Sequence, residues 1–178
     1  MKSLTTYITE KMVYKKSSVS KYNYHPKTKE ELQDIISKLI EERGNNGDFN
    51  DIDTSKIIDM SKLFYEMKEF NGDISNWDVS NVYYMNVMFF SCESFNQDIS
   101  QWDVSKVENM SAMFCGCESF NQDISGWDVS NVEDMQHMFN GCTSFNKDIS
   151  KWDVSKVRYL NWIFKNCPIE EKYKPKFD

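Results

Sequence analysis

The side chains of this chain that could do chemistry recur at a step of 25 residues. Two series of aspartates follow this step: Asp73, Asp98, Asp123 and Asp148, then Asp78, Asp103, Asp128 and Asp153. Carboxylates are natural Ca²⁺ ligands, but Ca²⁺ takes roughly six to eight oxygens around one point. Each of these aspartates stands two positions before a serine, which suits side-chain-to-backbone bonds in turns. We interpret both series as turn residues, with calcium binding as the alternative.

Cysteines and asparagines form two more series at the same step. The cysteines are Cys92, Cys117, Cys142 and Cys167, and the asparagines are Asn71, Asn96, Asn121 and Asn146. Structural zinc needs ligands that converge on one point, which a line of single cysteines does not provide. We therefore expect small buried apolar groups, with Cys115 outside the series as the accessible thiol. The asparagines predict an internal ladder that bonds backbone groups at a bend.

The residues offer little for catalysis. The chain has two histidines, His25 and His137, and the sequence contains no nucleophile–base pair, phosphate-binding glycine loop or HExxH motif. We expect no enzymatic activity and no cofactor.

The elements that position these series are apolar columns with the same period. Trp77, Trp102, Trp127 and Trp152 are 25 residues apart, and so are Phe64, Phe89, Phe114, Phe139 and Phe164. A repeat of this length predicts an α/β repeat solenoid of about five coils, in which each coil buries the faces of its neighbours. Within a coil, Val107 to Met110 is expected to be extended, and Ser111 to Cys117 has helix-like spacing.

Residues 27–47 predict a capping helix. Thr28 and Glu31 form a capping-box pattern, the apolar residues that follow have helical spacing, and Gly44 ends the run. A free partner-binding helix is the alternative. The predicted organisation is a basic N-terminal segment or linker at 1–26, this helix, the repeats at 48–167 and a C-terminal cap or tail at 168–178.

The repeated run Met-Phe-x-x-Cys-x-Ser-Phe-Asn-Gln-Asp-Ile-Ser-x-Trp-Asp-Val-Ser-x-Val resembles the repeat of BspA-like leucine-rich-repeat surface proteins. This resemblance covers about residues 48–167. It implies a leucine-rich-repeat-like, right-handed stack and, for many members, adhesion or protein binding.

Charge limits the partners. The chain carries a net charge of −7, although residues 1–26 hold five lysines and one glutamate. We expect no nucleic-acid binding and, without a long apolar run, no membrane insertion. The N-terminus lacks the apolar core of a secretory signal. We therefore expect a cytoplasmic protein or one assembled into a particle; the alternative is a cell surface reached by a non-Sec route.

Positions that vary between coils are the candidates for binding, because the constant columns build the fold. These candidates are Tyr83, Tyr84, Glu108, Glu133, His137, Arg158, Tyr159 and Trp162. Exposed aromatics are typical interface anchors; Tyr159 and Trp162 either serve that role or pack beneath a terminal cap. The sequence favours a non-enzymatic protein-binding module with another protein as partner. The alternative is a structural component of a larger assembly, such as a phage particle, anchored by the N-terminal segment.

Overall fold

The computed structural model describes residues 21–177, in which the chain winds through coils that stack at a step of 25 residues. Helix α1 spans Lys29–Arg43, and a 3-10 helix spans Glu171–Tyr173. Extended pairing within the described residues is limited to single parallel bridges. These bridges are Tyr24 with Ile52, Asp48 with Asp73, Asp59 with Tyr84, Tyr84 with Asn109, Asn109 with Asp134, and Asp134 with Tyr159.

Neighbouring coils are joined chiefly through five turn segments, residues 60–66, 85–91, 110–116, 135–141 and 160–166. In the second segment, the amides of Met85, Val87, Phe89 and Ser91 donate to carbonyls of the third segment or the residue before it, at N···O distances of 2.7–3.0 Å. The amides of the residues between them turn back to carbonyls of their own coil, as Met88 does to Met85 and Phe90 to Val87. Successive amides therefore alternate between holding the turn and holding the next coil.

This alternation requires two left-handed backbone positions in every turn segment. The positive-φ residues are Lys62, Val87, Ala112, His137 and Trp162 at one position, and Glu66, Ser91, Gly116, Gly141 and Asn166 at the other. A residue at positive φ cannot continue an α-helix. The helix-like conformation expected for Ser111 to Cys117 is therefore wrong: the segment forms consecutive turns, although its apolar residues 113, 114 and 117 do point inward.

The core consists of continuous side-chain ladders. Phe64, Phe89, Phe114 and Phe139 are fully buried and stack face to face, with centroids 5.3 to 5.7 Å apart. A second phenylalanine from the same coil packs on each of them, as Phe120 does on Phe114 at 4.1 Å. The indoles of Trp77, Trp102, Trp127 and Trp152 each donate to a carbonyl in the coil before, as Trp102 does to Ile74 at 3.3 Å. The ladders satisfy buried polar groups while they fill the interior.

Helix α1 packs on the N-terminal end of the stack. The Thr28 side chain accepts a bond from the Glu31 amide, and Gly44 ends the helix at φ 75°. Leu32, Ile36 and Leu39 are fully buried against the first coils. Near the C-terminal end of the predicted basic segment or linker, Tyr24 pairs with Ile52 through one parallel bridge. Residues 1–20 of the predicted basic segment lie outside the described residues.

The C-terminal tail covers the other end only in part. Ile169 is buried, and the amide of Ile149 donates to the carbonyl of Tyr173 at 3.0 Å. The last turn segment lies beside this tail without a further coil on it. Leu160 occupies a column whose four earlier members, Met60, Met85, Met110 and Met135, are at most 1% exposed, yet Leu160 is 41% exposed.

Replacing one phenylalanine of the ladder tests whether the stack is the source of stability. Phe114→Ala should lower the free energy of unfolding by about 3–5 kcal/mol, because it removes a buried ring contacted on both sides. The matched change Phe164→Ala, in the half-buried last coil, should cost less than half as much. Urea denaturation followed by circular dichroism measures both, and equal losses would contradict this account of the core.

The left-handed positions give a second test. Gly141 has φ 76°, so Gly141→Ala should cost about 1 kcal/mol from backbone strain alone. Gly126→Ala is the control, because Gly126 has no positive φ and its added Cβ meets nothing within 4 Å. The control substitution should leave the free energy of unfolding unchanged or raise it slightly. A neutral Gly141→Ala would show that the turn segment relaxes into another conformation.

Candidate protein-binding surface

Six of the eight predicted binding residues lie on one surface, the bridge face, formed by residues 58–59, 83–84, 108–109, 133–134 and 158–159. The parallel bridges place these residue pairs above one another, at the spacing of roughly 4.8 Å typical of paired strands. Six predicted residues belong to it: Tyr83, Tyr84, Glu108, Glu133, Arg158 and Tyr159. The variable positions thus form one continuous surface.

The bridge face changes in character along the stack. Tyr83 and Tyr84 are exposed on the second coil, at 39% and 46%. Glu108 and Glu133 follow in the middle, and Arg158 forms an ion pair with Glu133 at 3.2 Å. Tyr159 is 55% exposed at the far end. An apolar, aromatic part is therefore followed by acidic side chains and then by a cation and a second aromatic.

His137 and Trp162 lie elsewhere. Both occupy the first left-handed position of their turn segments, and their rings meet edge to face at 5.1 Å. The Lys165 ammonium lies 4.6 Å from the centroid of the Trp162 ring. Trp162 remains 62% exposed, so neither it nor Tyr159 is packed beneath a terminal cap.

Sequence reasoning missed two exposed apolar residues on or near these surfaces. Ile58 is 60% exposed and lies one coil before Tyr83 on the bridge face. The 25-residue step from Tyr83 would have found it in the degenerate first coil. Leu160 was missed because it stands in a core column and is exposed only for want of a following coil.

A ladder of alternating lysine and asparagine borders the bridge face at Lys56, Asn81, Lys106, Asn131 and Lys156. Lys106 donates to the side-chain oxygen of Asn81 at 2.8 Å, and Lys156 to that of Asn131 at 2.6 Å. The asparagines in turn donate to backbone carbonyls of the coil before them. Because lysine alternates with a neutral residue, like charges stay two coils apart. Lys106, Asn131 and Lys156 of this ladder line a shallow groove together with Tyr83, Glu108 and Glu133.

The aspartates act as turn residues. In both series a carboxylate oxygen accepts the amide of the serine two positions later, as Asp98 does from Ser100 at 2.9 Å. The amide and hydroxyl of Ser100 lower the pKa of Asp98 below its ordinary value. The hydroxyl and amide of Ser105 lower the pKa of Asp103 in the same way, and those of Ser125 lower the pKa of Asp123. No group of three metal-ligating side chains occurs among residues 21–177.

The asparagine and cysteine series also bond the backbone. The Asn71 side chain accepts the amide of Asn96 at 2.9 Å, and this pattern repeats through Asn121 and Asn146. The ladder bonds the backbone as predicted, but it is not internal, because Asn96 and Asn146 are exposed. Cys117 is fully buried and its thiol donates to the carbonyl of Phe89 at 2.9 Å. Burial raises the pKa of the Cys92 thiol to about 12, which leaves it unreactive at neutral pH. Cys115 and Cys167 are the partly exposed thiols.

The stacked 25-residue coils define a repeat protein. A family model described as "Mycoplasma protein of unknown function, DUF285" matches residues 31–126 and again residues 99–171. The chain belongs to this family. No curated protein and no solved structure matches it. Neither helix of the described residues is long and apolar enough to cross a membrane.

The lowered aspartate pKa values predict an acid-sensitive stack. As the pH drops from the ordinary aspartate pKa of 3.8 through the lowered pKa values of the folded chain, the unfolded chain binds more protons than the folded one, so the free energy of unfolding falls over this range. The stabilisation is fully present above it. Urea denaturation at about pH 7 and at about pH 3 measures the loss.

The triple variant Asp98→Asn, Asp103→Asn and Asp123→Asn is the matched control. Asparagine keeps the accepting oxygen, as Asn109 shows by accepting the Ser111 amide at 2.8 Å, but it does not titrate. The variant should lose less stability between the two pH values than the unmodified chain. An equal loss would place the acid sensitivity elsewhere.

Proposed function

We propose that this chain is a non-enzymatic protein-binding module whose bridge face docks another protein. The observation that carries the proposal is the exposure of Ile58, Tyr83 and Tyr84 side by side on consecutive coils. Tyrosines are among the side chains that anchor interfaces, because they bury a large area at little conformational cost.

The backbone beneath these side chains supports the same proposal. Tyr84 bridges both Asp59 and Asn109, and the Tyr83 amide donates to the carbonyl of Ile58 at 2.9 Å. Asp59 is fixed as well, since it bonds the Ser61 amide at 2.7 Å and pairs with Lys29 of α1 at 3.3 Å. A face whose backbone is held on both sides loses little freedom on binding.

The partner we propose carries an apolar patch next to a cationic one. The apolar patch would cover Ile58, Tyr83 and Tyr84, and a cation would lie over Glu108, since Glu133 already pairs with Arg158. We further propose that the coils form a leucine-rich-repeat-like solenoid related to the BspA-like surface repeats, in which case binding would serve adhesion. A structural role in a larger assembly is the second candidate, favoured by the uncovered C-terminal end of the stack.

The double variant Tyr83→Ala and Tyr84→Ala tests the bridge face. Capture of interacting proteins from an extract of the source organism, with quantitative mass spectrometry, should show loss of the specific partner. Affinity for that partner, once identified, should fall at least about tenfold, as is usual when interface aromatics are truncated. Stability should change by less than about 1 kcal/mol, because both side chains are exposed.

Tyr65→Ala is the matched control. Tyr65 is an equally exposed tyrosine, at 42%, that stacks on Phe90 in the turn segments instead of lying on the bridge face. Its loss should leave capture unchanged. Capture that survives in the double variant, or that is lost equally in the control, would refute the bridge face as the binding surface.

A further inference from the structure

The hydrogen bonds between turn segments align the peptide groups along the stack. The carbonyl of Tyr84 accepts from Met60 in the coil before, while the amide of Met85, in the same peptide group, donates to Asn109 in the coil after. The same holds at all four donating positions of the three middle segments, 85–91, 110–116 and 135–141. Every such group thus points its carbonyl toward the N-terminal end and its amide toward the C-terminal end. Aligned peptide dipoles add, as they do in a helix.

The C-terminal end of the stack is consequently a row of donors, the open amide row, formed by the backbone amides of Leu160, Trp162, Phe164 and Asn166. In every earlier coil the equivalent amides donate to the next coil. No acceptor for these four lies within residues 21–177. This end also carries positive charge, because residues 147–177 contain eight lysines and arginines against four acids. The Lys165 and Lys174 ammonium groups lie over the rings of Trp162 and Phe164.

The open amide row limits which partners can bind at the C-terminal end of the stack. Two such ends facing each other would set amides against amides and cations against cations. An ordinary β-strand would fit only in part, because its edge alternates donors with acceptors. The end requires a partner that presents acceptors alone, with negative charge.

The outer side of α1 presents such a surface. Its buried stripe is Leu32, Ile36 and Leu39, and at 3.6 residues per turn the residues almost directly opposite are Glu30, Asp34, Ser37 and Glu41. All four are exposed. The described residues form no ion pair with the three carboxylates among them. Helix α1 as a whole holds five acids and three bases, and it lies at the negative end of the aligned peptide groups.

The direction of α1 makes the two ends complementary in shape as well. Lys29, at its start, bonds Asp59 and Ser61, and its last turns lie beside Met67 and Glu69. The helix therefore runs along the first turn segment in that segment's own direction. Moving a second copy along the stack axis would lay its α1 along the last turn segment, with the acidic stripe facing the open amide row.

We propose that copies of this chain associate head to tail, with the acidic stripe of α1 in one copy seated on the open amide row of the next. The carboxylates accept the four amides and meet Lys165, while the last coil buries the exposed parts of Leu160 and Trp162. Such a contact is not self-complementary, so it adds copies in one direction and forms open filaments. It is independent of the bridge face, and none of the variants below changes that face.

Two variants, each blocked at one end, test the arrangement. The head variant carries Glu30→Lys, Asp34→Lys and Glu41→Lys, and the tail variant carries Trp162→Glu and Lys165→Glu. All five side chains are exposed, so both variants should fold. Sedimentation velocity at low salt should show association of the unmodified chain that rises with concentration and weakens in about 0.5 M salt, as charge pairing requires.

Each variant alone should associate at least about tenfold more weakly than the unmodified chain. Mixed in equal amounts, they should form a one-to-one pair and nothing larger. The unmodified open amide row of the head variant can bind the unmodified α1 of the tail variant, whereas the other two surfaces are blocked. A control with Gln101→Lys, Glu118→Lys and Gly126→Lys on the exposed flanks should associate like the unmodified chain.

Three results would overturn the proposal. The first is an unmodified chain that stays monomeric at several hundred micromolar and low salt. The second is a head variant that still dimerises by itself, which would indicate contact between two C-terminal ends. The third is a mixture of the two variants that stays monomeric although the unmodified chain associates.

Discussion

The alternation of backbone amides in the turn segments is the constraint on which the rest of the structure depends. Every second amide must reach a carbonyl of the next coil, as Phe89 reaches Met113 at 2.9 Å, and the amide between must close a turn in its own coil. That pattern requires two left-handed residues in each turn segment and a repeat of constant length. A coil one residue longer would shift these carbonyls away from the amides, which would then face peptide groups whose carbonyls close turns in their own coil, as those of Met110 and Ala112 do. The phenylalanine, tryptophan and cysteine ladders follow, because constant register places identical side chains directly above one another.

The same alternation gives the stack a direction. In an ordinary sheet the strand dipoles largely cancel, whereas here four rows of peptide groups point the same way. The two ends therefore need different solutions. At the N-terminal end a helix covers the apolar faces, and Lys29 brings a cation to the carbonyl side through Asp59 and Ser61. At the C-terminal end the tail bonds Ile149 and Asn146 but leaves the turn segment open.

Sequence reasoning succeeded where one residue type at one position has one physical role. The Asp–Ser pairs, the asparagine ladder and α1 from Thr28 to Gly44 are of this kind, because each rests on a local hydrogen bond. It failed for Ser111 to Cys117, because inward-facing residues at 113, 114 and 117 fit a helix as well as two turns. Only the positive φ angles of Ala112 and Gly116 distinguish the two conformations. The pairing of Tyr24 and the exposure of Leu160 depend on which coil lies next to each residue. The local sequence around a residue does not show this.

The two candidate surfaces differ in what they can recognise. The bridge face presents side chains that change from coil to coil, so it can distinguish one partner from another. The open amide row presents backbone groups whose arrangement is the same in every coil, so its selectivity can come only from polarity, charge and the few side chains around it, such as Trp162 and Lys165. A surface of the first kind suits specific binding, and one of the second kind suits the repeated addition of identical units. A chain with both could display many copies of one binding face along a filament, where weak single contacts gain strength from multiplicity.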